Sequence, residues 1–151
     1  MDEPPTAPVT FARLVRSQTR LWNAVDARVR AAHEVPLTQV TVLQVIAGTE
    51  TCKVGDLVET LHITVGGASK VVDRLVAAGL VTREPNDRDR RSPLLVPTRS
   101  GHALLEAAAL TIDEVVGEEL VARLSTEDLD SLHRILGELV DRSATTSGGS
   151  S

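Results

Sequence analysis

Residues 56–101 read DLVETLHITVGGASKVVDRLVAAGLVTREPNDRDRRSPLLVPTRSG. Just before and within this stretch, Val54, Leu57, Val58 and Leu61 stand at i, i+3, i+4 and i+7, which predicts a short helix over 54–61. Ile63-Thr64 forms a tight turn, and the Thr64 hydroxyl suits the N-cap of a second helix over 65–78. Ala68, Val71, Val72, Leu75 and Val76 line one face of that helix, and Gly79 stops it in a left-handed position. Leu80–Glu84 and Pro93–Pro97 are short, apolar and bounded by Pro, Asn, Asp and Ser, which predicts a hairpin. Pro93 and Pro97 sit at the margins of its second strand, where a missing N–H is tolerated. The connecting segment EPNDRDRRS (84–92) places Arg88, Arg90 and Arg91 within four positions.

Helix, tight turn, helix and hairpin make a winged helix-turn-helix. In that arrangement the second helix lies in the DNA major groove with its N-terminal residues toward base edges, and the first crosses the backbone. The hairpin tip then falls over the next minor groove, whose narrow, electronegative floor suits arginine. The arginines at 88, 90 and 91 are accordingly expected to meet DNA, with Asp87 or Asp89 bracing a neighbouring guanidinium.

Outward from this centre the chain is helical. Phe11, Leu14, Val15, Leu21, Trp22, Val25 and Val29 form the stripe of a long amphipathic helix that ends before Pro36. Thr38 is a candidate N-cap for a helix that buries Val40, Leu43, Ile46 and Ala47 and ends at Gly48. Thr98 starts another, with Leu105, Ala108, Ile112, Val115, Val116 and Leu120 on one face. Ser125 with Asp128 resembles a capping box for a last helix over 126–141, whose Leu129, Leu132, Leu136, Leu139 and Val140 approach a heptad seam. The expected organisation is a flexible arm at 1–9, a dimerisation helix at 10–36, the winged helix-turn-helix at 37–98, dimerisation helices at 99–142 and a disordered low-complexity tail at 143–151. The fold class is mainly α with a small β-hairpin wing.

Charge is segregated along the chain. Its formal net charge is −5, yet residues 64–99 carry seven basic side chains against four acidic, a net of +3. Residues 106–142 carry ten acids against three arginines, a net of −7. A small basic face on an acidic body is an electrostatic footprint of a DNA reader, and equally of a solvated acidic helix pair. The absence of Tyr, with one Phe and one Trp, argues against an aromatic stacking surface of the RNA-binding type. One cysteine, Cys52, cannot close an internal disulfide and fits a reducing cytoplasm. MDEPPTAPVT has neither the basic nor the apolar region of a signal peptide, and no run of about 18 apolar residues marks a membrane span. The expected location is the cytoplasm, with nucleoid association when DNA is bound.

Val72-Asp73-Arg74-Leu75, Gly79-Leu80-Val81 with Arg83, Asp89-Arg90-Arg91, and Thr98 with Gly101 stand together in one spacing. In these phrases the chain resembles the MarR (multiple antibiotic resistance regulator) family of transcription regulators, over about a third of its length. The resemblance implies a homodimer with intertwined terminal helices. Its two winged regions would read half-sites of a pseudo-palindromic double-stranded DNA operator, centred roughly 34–36 Å apart. It implies DNA contacts from Lys70 and Arg74 on the recognition helix and from Arg90 and Arg91 in the wing, with Asp89 as the brace. The Thr64 and Ser69 hydroxyls suit phosphate or base contacts. Gly66-Gly67 departs from the family pattern; these glycines cost helix propensity of about 1 kcal/mol each relative to Ala and either admit close backbone approach to DNA or loosen the helix start. The resemblance also implies an effector cleft between the dimerisation helices and the winged region, for which Arg16, Trp22 and His102 are candidates.

No Ser/His/Asp or paired-carboxylate arrangement points to an enzyme, and no cofactor is expected. TVGGASK lacks the spacing of a phosphate-binding loop. Cys52 lies outside the N-terminal helix, where peroxide-sensing members carry theirs, and reads as structural. His33, His62, His102 and His133 supply one i, i+4 pair with an acid, His102 with Glu106, too little to define a metal site. The expected function is a ligand-responsive MarR-type repressor. The alternatives are a winged-helix module that binds protein through its wing arginines, and a metal-sensing regulator.

Overall fold

A computed structural model of the chain describes residues 6–145, with side chains described to residue 140. The elements in order are α1 (Ala7–His33), α2 (Leu37–Gly48), α3 (Val54–Leu61), α4 (Val65–Ala77), β1 (Val81–Glu84), β2 (Leu94–Pro97), α5 (Arg99–Glu119), a 3-10 turn (Val121–Arg123) and α6 (Thr126–Thr145). The described residues fall into two compact units, divided within α5 between Asp113 and Glu114.

In the first unit, α1 begins at Ala7, three residues before the expected start, because Pro8 fits the first helical turn, where its missing N–H leaves no bond unmade. Residues 1–5 of the expected arm lie outside the described residues. The helix closes at Glu34, which adopts a left-handed φ of 59° and returns its N–H to the Arg30 carbonyl. Two residues later α2 begins, with Pro36 and not Thr38 in the N-cap position. Pro36 has no side-chain acceptor to offer. The N–H of Leu37 is met instead by Asp26 of α1, whose Oδ1 lies 2.8 Å away. The Arg30 guanidinium, hydrogen-bonded to Asp26 at 2.6 Å, holds the Asp26 carboxyl below its ordinary value against the opposing effect of desolvation, with a lesser contribution from the Leu37 N–H.

The core of this unit gathers Leu43 and Ile46 of α2, Leu57 of α3, Ala68, Val72 and Leu75 of α4, and Val81 and Leu95 of the hairpin. Leu43, Leu57, Val72 and Leu75 are wholly buried. Burying a side chain of this size contributes about 1.5–3 kcal/mol, which explains why three short helices and a two-stranded sheet hold together. The strands pair antiparallel, Val81 opposite Pro97 and Arg83 opposite Leu95. The second strand also donates the Leu95 N–H to the Cys52 carbonyl at 2.8 Å, tying the loop before α3 to the sheet. The His33 ring Nε2 and the Thr111 hydroxyl, 2.9 Å apart, link α1 to α5.

In the second unit, Asp128 donates its N–H to the Ser125 hydroxyl at 3.1 Å, half of the expected capping box. The reciprocal bond differs: the Ser125 hydroxyl donates to Asp128 Oδ2 at 2.7 Å, because a carboxylate one methylene shorter than Glu meets the nearer donor. The last helix runs on through residues 143–145, part of the expected tail; residues 146–151 lie outside the described residues.

Candidate nucleic-acid interface

The helix-turn-helix is built from backbone choices that the residues make locally. His62 ends α3 in a left-handed conformation, φ 52°. At the other end of this helix, Asp56 accepts the Lys53 N–H at 2.7 Å, a cap that the apolar spacing alone did not disclose. Thr64 is extended, and its Oγ1 accepts the Gly67 N–H at 3.1 Å, the expected N-cap. A Cβ on Gly67 would lie 3.1 Å from that hydroxyl oxygen, whereas one on Gly66 would meet open space. Gly67 therefore clears room for the cap, and Gly66 is not required by packing.

Past this start, α4 presents two faces. Ala68, Val72 and Leu75 point into the core, while Val65, Gly66, Lys70, Asp73 and Arg74 are exposed. Ser69 is half-buried at the edge of the outer face. The helix is closed by Gly79 at φ 71°, where glycine alone escapes a steric penalty.

The wing is anchored to this helix. Arg83 stands two residues after buried Val81 and opposite buried Leu95, so it emerges on the α4 side of the hairpin. There its guanidinium reaches Asp73 at 2.6 Å. Thr98 holds the other end: its hydroxyl donates to the Gly79 carbonyl at 2.7 Å and accepts the Gly101 N–H at 3.1 Å. A Cβ on Gly101 would stand 2.3 Å from the Leu80 carbonyl oxygen, so only glycine lets the start of α5 approach the hairpin. Four of the residues that carry the family resemblance, Asp73, Arg83, Thr98 and Gly101, thus join recognition helix, hairpin and α5.

At the wing tip, Arg88, Arg90 and Arg91 are exposed, and among the described residues no carboxylate pairs with their guanidinium groups. Asp89 does not brace a guanidinium. Its Oδ1 accepts the Arg91 backbone N–H at 3.0 Å, since a short side chain in a turn meets the N–H two residues on before it can reach an arginine head. Asn86, read in the sequence only as a residue bounding the strands, organises the rest. Its Oδ1 accepts the Arg88 N–H at 3.1 Å, its Nδ2 donates to the Ser92 carbonyl at 3.0 Å, and its carbonyl accepts the Asp89 N–H at 3.2 Å. The signal was present, an Asn-Asp pair after proline, but such residues mark turns in general and not which bonds they make.

The three effector-cleft candidates are not gathered in one place among the described residues. Arg16 lines an open groove of about 780 Å3 along α1 with Arg13, Arg20 and Asn23. Trp22 lines a smaller cleft of about 280 Å3 with Gln18 and Thr19. His102 is exposed in the first turn of α5 and lines neither. Cys52 is buried in the core, and desolvation, followed by the nearby Asp56 charge, pushes its thiol up to about 11. A thiol so held is a poor nucleophile at neutral pH. Among the described residues there is no group of three or more His, Cys, Asp or Glu arranged for a metal ion, and no helix is long and apolar enough to cross a membrane.

Comparison with known proteins adds family and fold. Residues 33–92 match the family model described as "MarR family". The chain is 28% identical over 85 residues to the multiple antibiotic resistance protein MarR of Escherichia coli K12, a match that covers 56% of this chain and spans 59% of the length of that relative. It is 30% identical over 115 residues to the transcriptional regulator HosA of Escherichia coli O127:H6, covering 74% of this chain and 84% of HosA. Among solved structures, a mutant MarR from E. coli complexed with operator DNA superposes with a TM-score of 0.77 at 21% identity, over 91% of this chain and 99% of that one. A MarR family transcriptional regulator from Streptomyces coelicolor in complex with DNA gives 0.78 at 22% identity, over 93% and 92%. The residues that tie helix, wing and α5 together, the family match across the winged region and the extent of the HosA match agree: this chain belongs to the MarR family of transcription regulators.

Proposed function

We propose that this chain is a sequence-specific reader of double-stranded DNA, acting as a homodimeric repressor of MarR type. One observation carries the reading: three wing guanidiniums without carboxylate partners sit on a hairpin tied by Arg83–Asp73 to a helix that turns Lys70 and Arg74 outward. In this reading residues 37–98 form the DNA-binding region. The recognition helix enters the major groove with Thr64, Gly66, Gly67, Ser69, Lys70 and Arg74 near DNA. The wing carries Arg88, Arg90 and Arg91 to the adjacent minor groove. Asp89 and Asn86 shape the tip through its backbone.

The homodimer is supported by apolar side chains left uncovered on the flanking helices. Phe11 of α1 is 68% exposed, and Leu14, Ile135, Leu136, Leu139 and Val140 are also exposed. Rows of this kind at helical spacing are what a partner helix covers. A small effector would release DNA by favouring a dimer state in which the two recognition helices no longer match the half-site spacing, which requires differential affinity for the two states. The Arg16 groove along α1 is the place to seek it.

The test is fluorescence anisotropy of a labelled duplex from the DNA flanking the chain's own gene, titrated at several salt concentrations against random duplex. The expected result is preferential binding that weakens linearly in log salt, with a slope that counts the phosphates neutralised. Equal competition by random duplex, repeated with duplexes selected from a random pool, would overturn sequence-specific reading and turn attention to a protein partner for the wing.

A further inference from the structure

The exposed apolar residue at the head of α4 is not accounted for by folding. Val65 is the first residue of the helix and is 63% exposed, while Ala68, Val72 and Leu75 on the same helix are wholly buried. It stands at the start of the helix whose exposed side chains include Lys70 and Arg74. Its neighbour Gly66 has no side chain, and a Cβ there would meet nothing within 4 Å, so no side chain next in sequence screens the Val65 methyls. Gly67 likewise contributes only its N–H to the Thr64 cap. The polar side chains of this face, Lys70, Asp73 and Arg74, begin more than a turn further on, and Asp73 is engaged by Arg83. Near the helix start, the chemistry offered to a base edge is therefore the Thr64 side chain and then a branched hydrocarbon followed by bare backbone.

In the major groove one ordinary base presents a hydrocarbon: thymine, through its 5-methyl group. The N-terminal residues of a recognition helix are those that approach base edges. Valine is also suited to the task because branching at Cβ restricts its χ1, so little side-chain freedom is lost when the methyls are immobilised. We infer that Val65 reads the 5-methyl group of a thymine in each half-site, making one apolar contact the specificity determinant at the helix start. This rests on the DNA-reading function proposed above.

The experiment uses the full chain. Duplexes are selected from a random pool with the wild-type protein, and each thymine of the selected half-site is replaced in turn by deoxyuridine, which removes the methyl and leaves base pairing intact. Affinities are measured for the wild type and for Val65→Ala, after confirming that the variant melts like the wild type. One lost methyl contact corresponds to about a four-fold weakening. The expected result is one thymine per half-site at which deoxyuridine weakens the wild type by about that factor and leaves Val65→Ala unchanged. A selected site at which every deoxyuridine exchange affects both proteins equally overturns the Val65 assignment while leaving DNA reading intact. Failure of the wild type to select any sequence overturns DNA reading itself, and the Val65 assignment with it.

Discussion

The winged region and the flanking helices spend their apolar residues differently. From Leu37 to Pro97 the large aliphatics other than Val65 turn inward, and Leu43, Leu57 and Leu75 leave no exposed surface. On α1 the apolar stripe is covered only near its end, at Val25 and Val29, while Phe11, Leu14 and Val15 stand open; on α6, Ile135, Leu136 and Leu139 do the same. Both regions have amphipathic helices of similar pattern. The contrast teaches that the winged region closes its core with its own chain, whereas the stripes outside it stay open, which is the ground for the proposed homodimer.

The comparison can be broken at its strongest point by Leu75→Ala, which opens a cavity in the self-contained core. A loss of about 2–5 kcal/mol in chemical denaturation is expected; a loss under about 1 kcal/mol would show that this core does not carry the region. Leu136→Glu attacks the other side of the contrast. It is expected to convert a dimer to a monomer in light scattering with the helical signal of the winged region retained, and an unchanged dimer mass would place the interface elsewhere. The Arg90→Ala, Arg91→Ala double variant tests whether the wing's open charge is functional. It should weaken binding to a selected duplex by about 2–6 kcal/mol, from roughly 1–3 per specific arginine contact, with unchanged melting.

Smaller effects probe the joins. Asp26→Ala should cost about 1 kcal/mol through the lost Leu37 cap. Because the folded-state pKa of Asp26 is lowered, its contribution is present above the ordinary carboxylate range and is lost as pH falls through the folded value. The difference between wild type and variant, measured by thermal melting, should therefore shrink below about pH 4. A difference that grows there would refute the assigned role. Gly66→Ala has the smallest effect: open space at the new Cβ and better helix propensity should stabilise the fold by up to about 1 kcal/mol. If DNA affinity falls while stability rises, the bare backbone at Gly66 is there for the groove.

Most of the winged region was legible because its determinants are local. The spacing of Leu57 and Leu61, the Thr64 cap and the Gly79 stop act within a few residues, and the structure has them as read. What was not legible depends on residues far apart. Nothing near Pro36 announces that Asp26 caps α2 at Leu37 from eleven residues back, or that His33 meets Thr111. The wing arginines could be read by composition, but the turn around them could not, because Asn86 and Asp89 each had several donors within reach. The Asp-Arg-Arg phrase shows the limit: its charges suggested an ion pair, and the geometry of a tight turn gave the carboxylate to a backbone N–H.

By itself, then, the sequence determined the order of helices, the turn, the hairpin and the concentration of arginine at its tip, since periodicity, caps and prolines act through the backbone over one or two turns. Tertiary structure alone decided which motif residues stay exposed and which hold the fold. Asp73 and Arg83 look like surface charges in one dimension and become the tie between helix and wing in three. Gly101 looks permissive and proves to be the one residue that fits against the Leu80 carbonyl. Val65 is apolar in one dimension and stands in solvent in three. The physical reason is common to all three: burial and partnership are properties of a surface made by distant segments, and no residue carries that surface in its own neighbourhood.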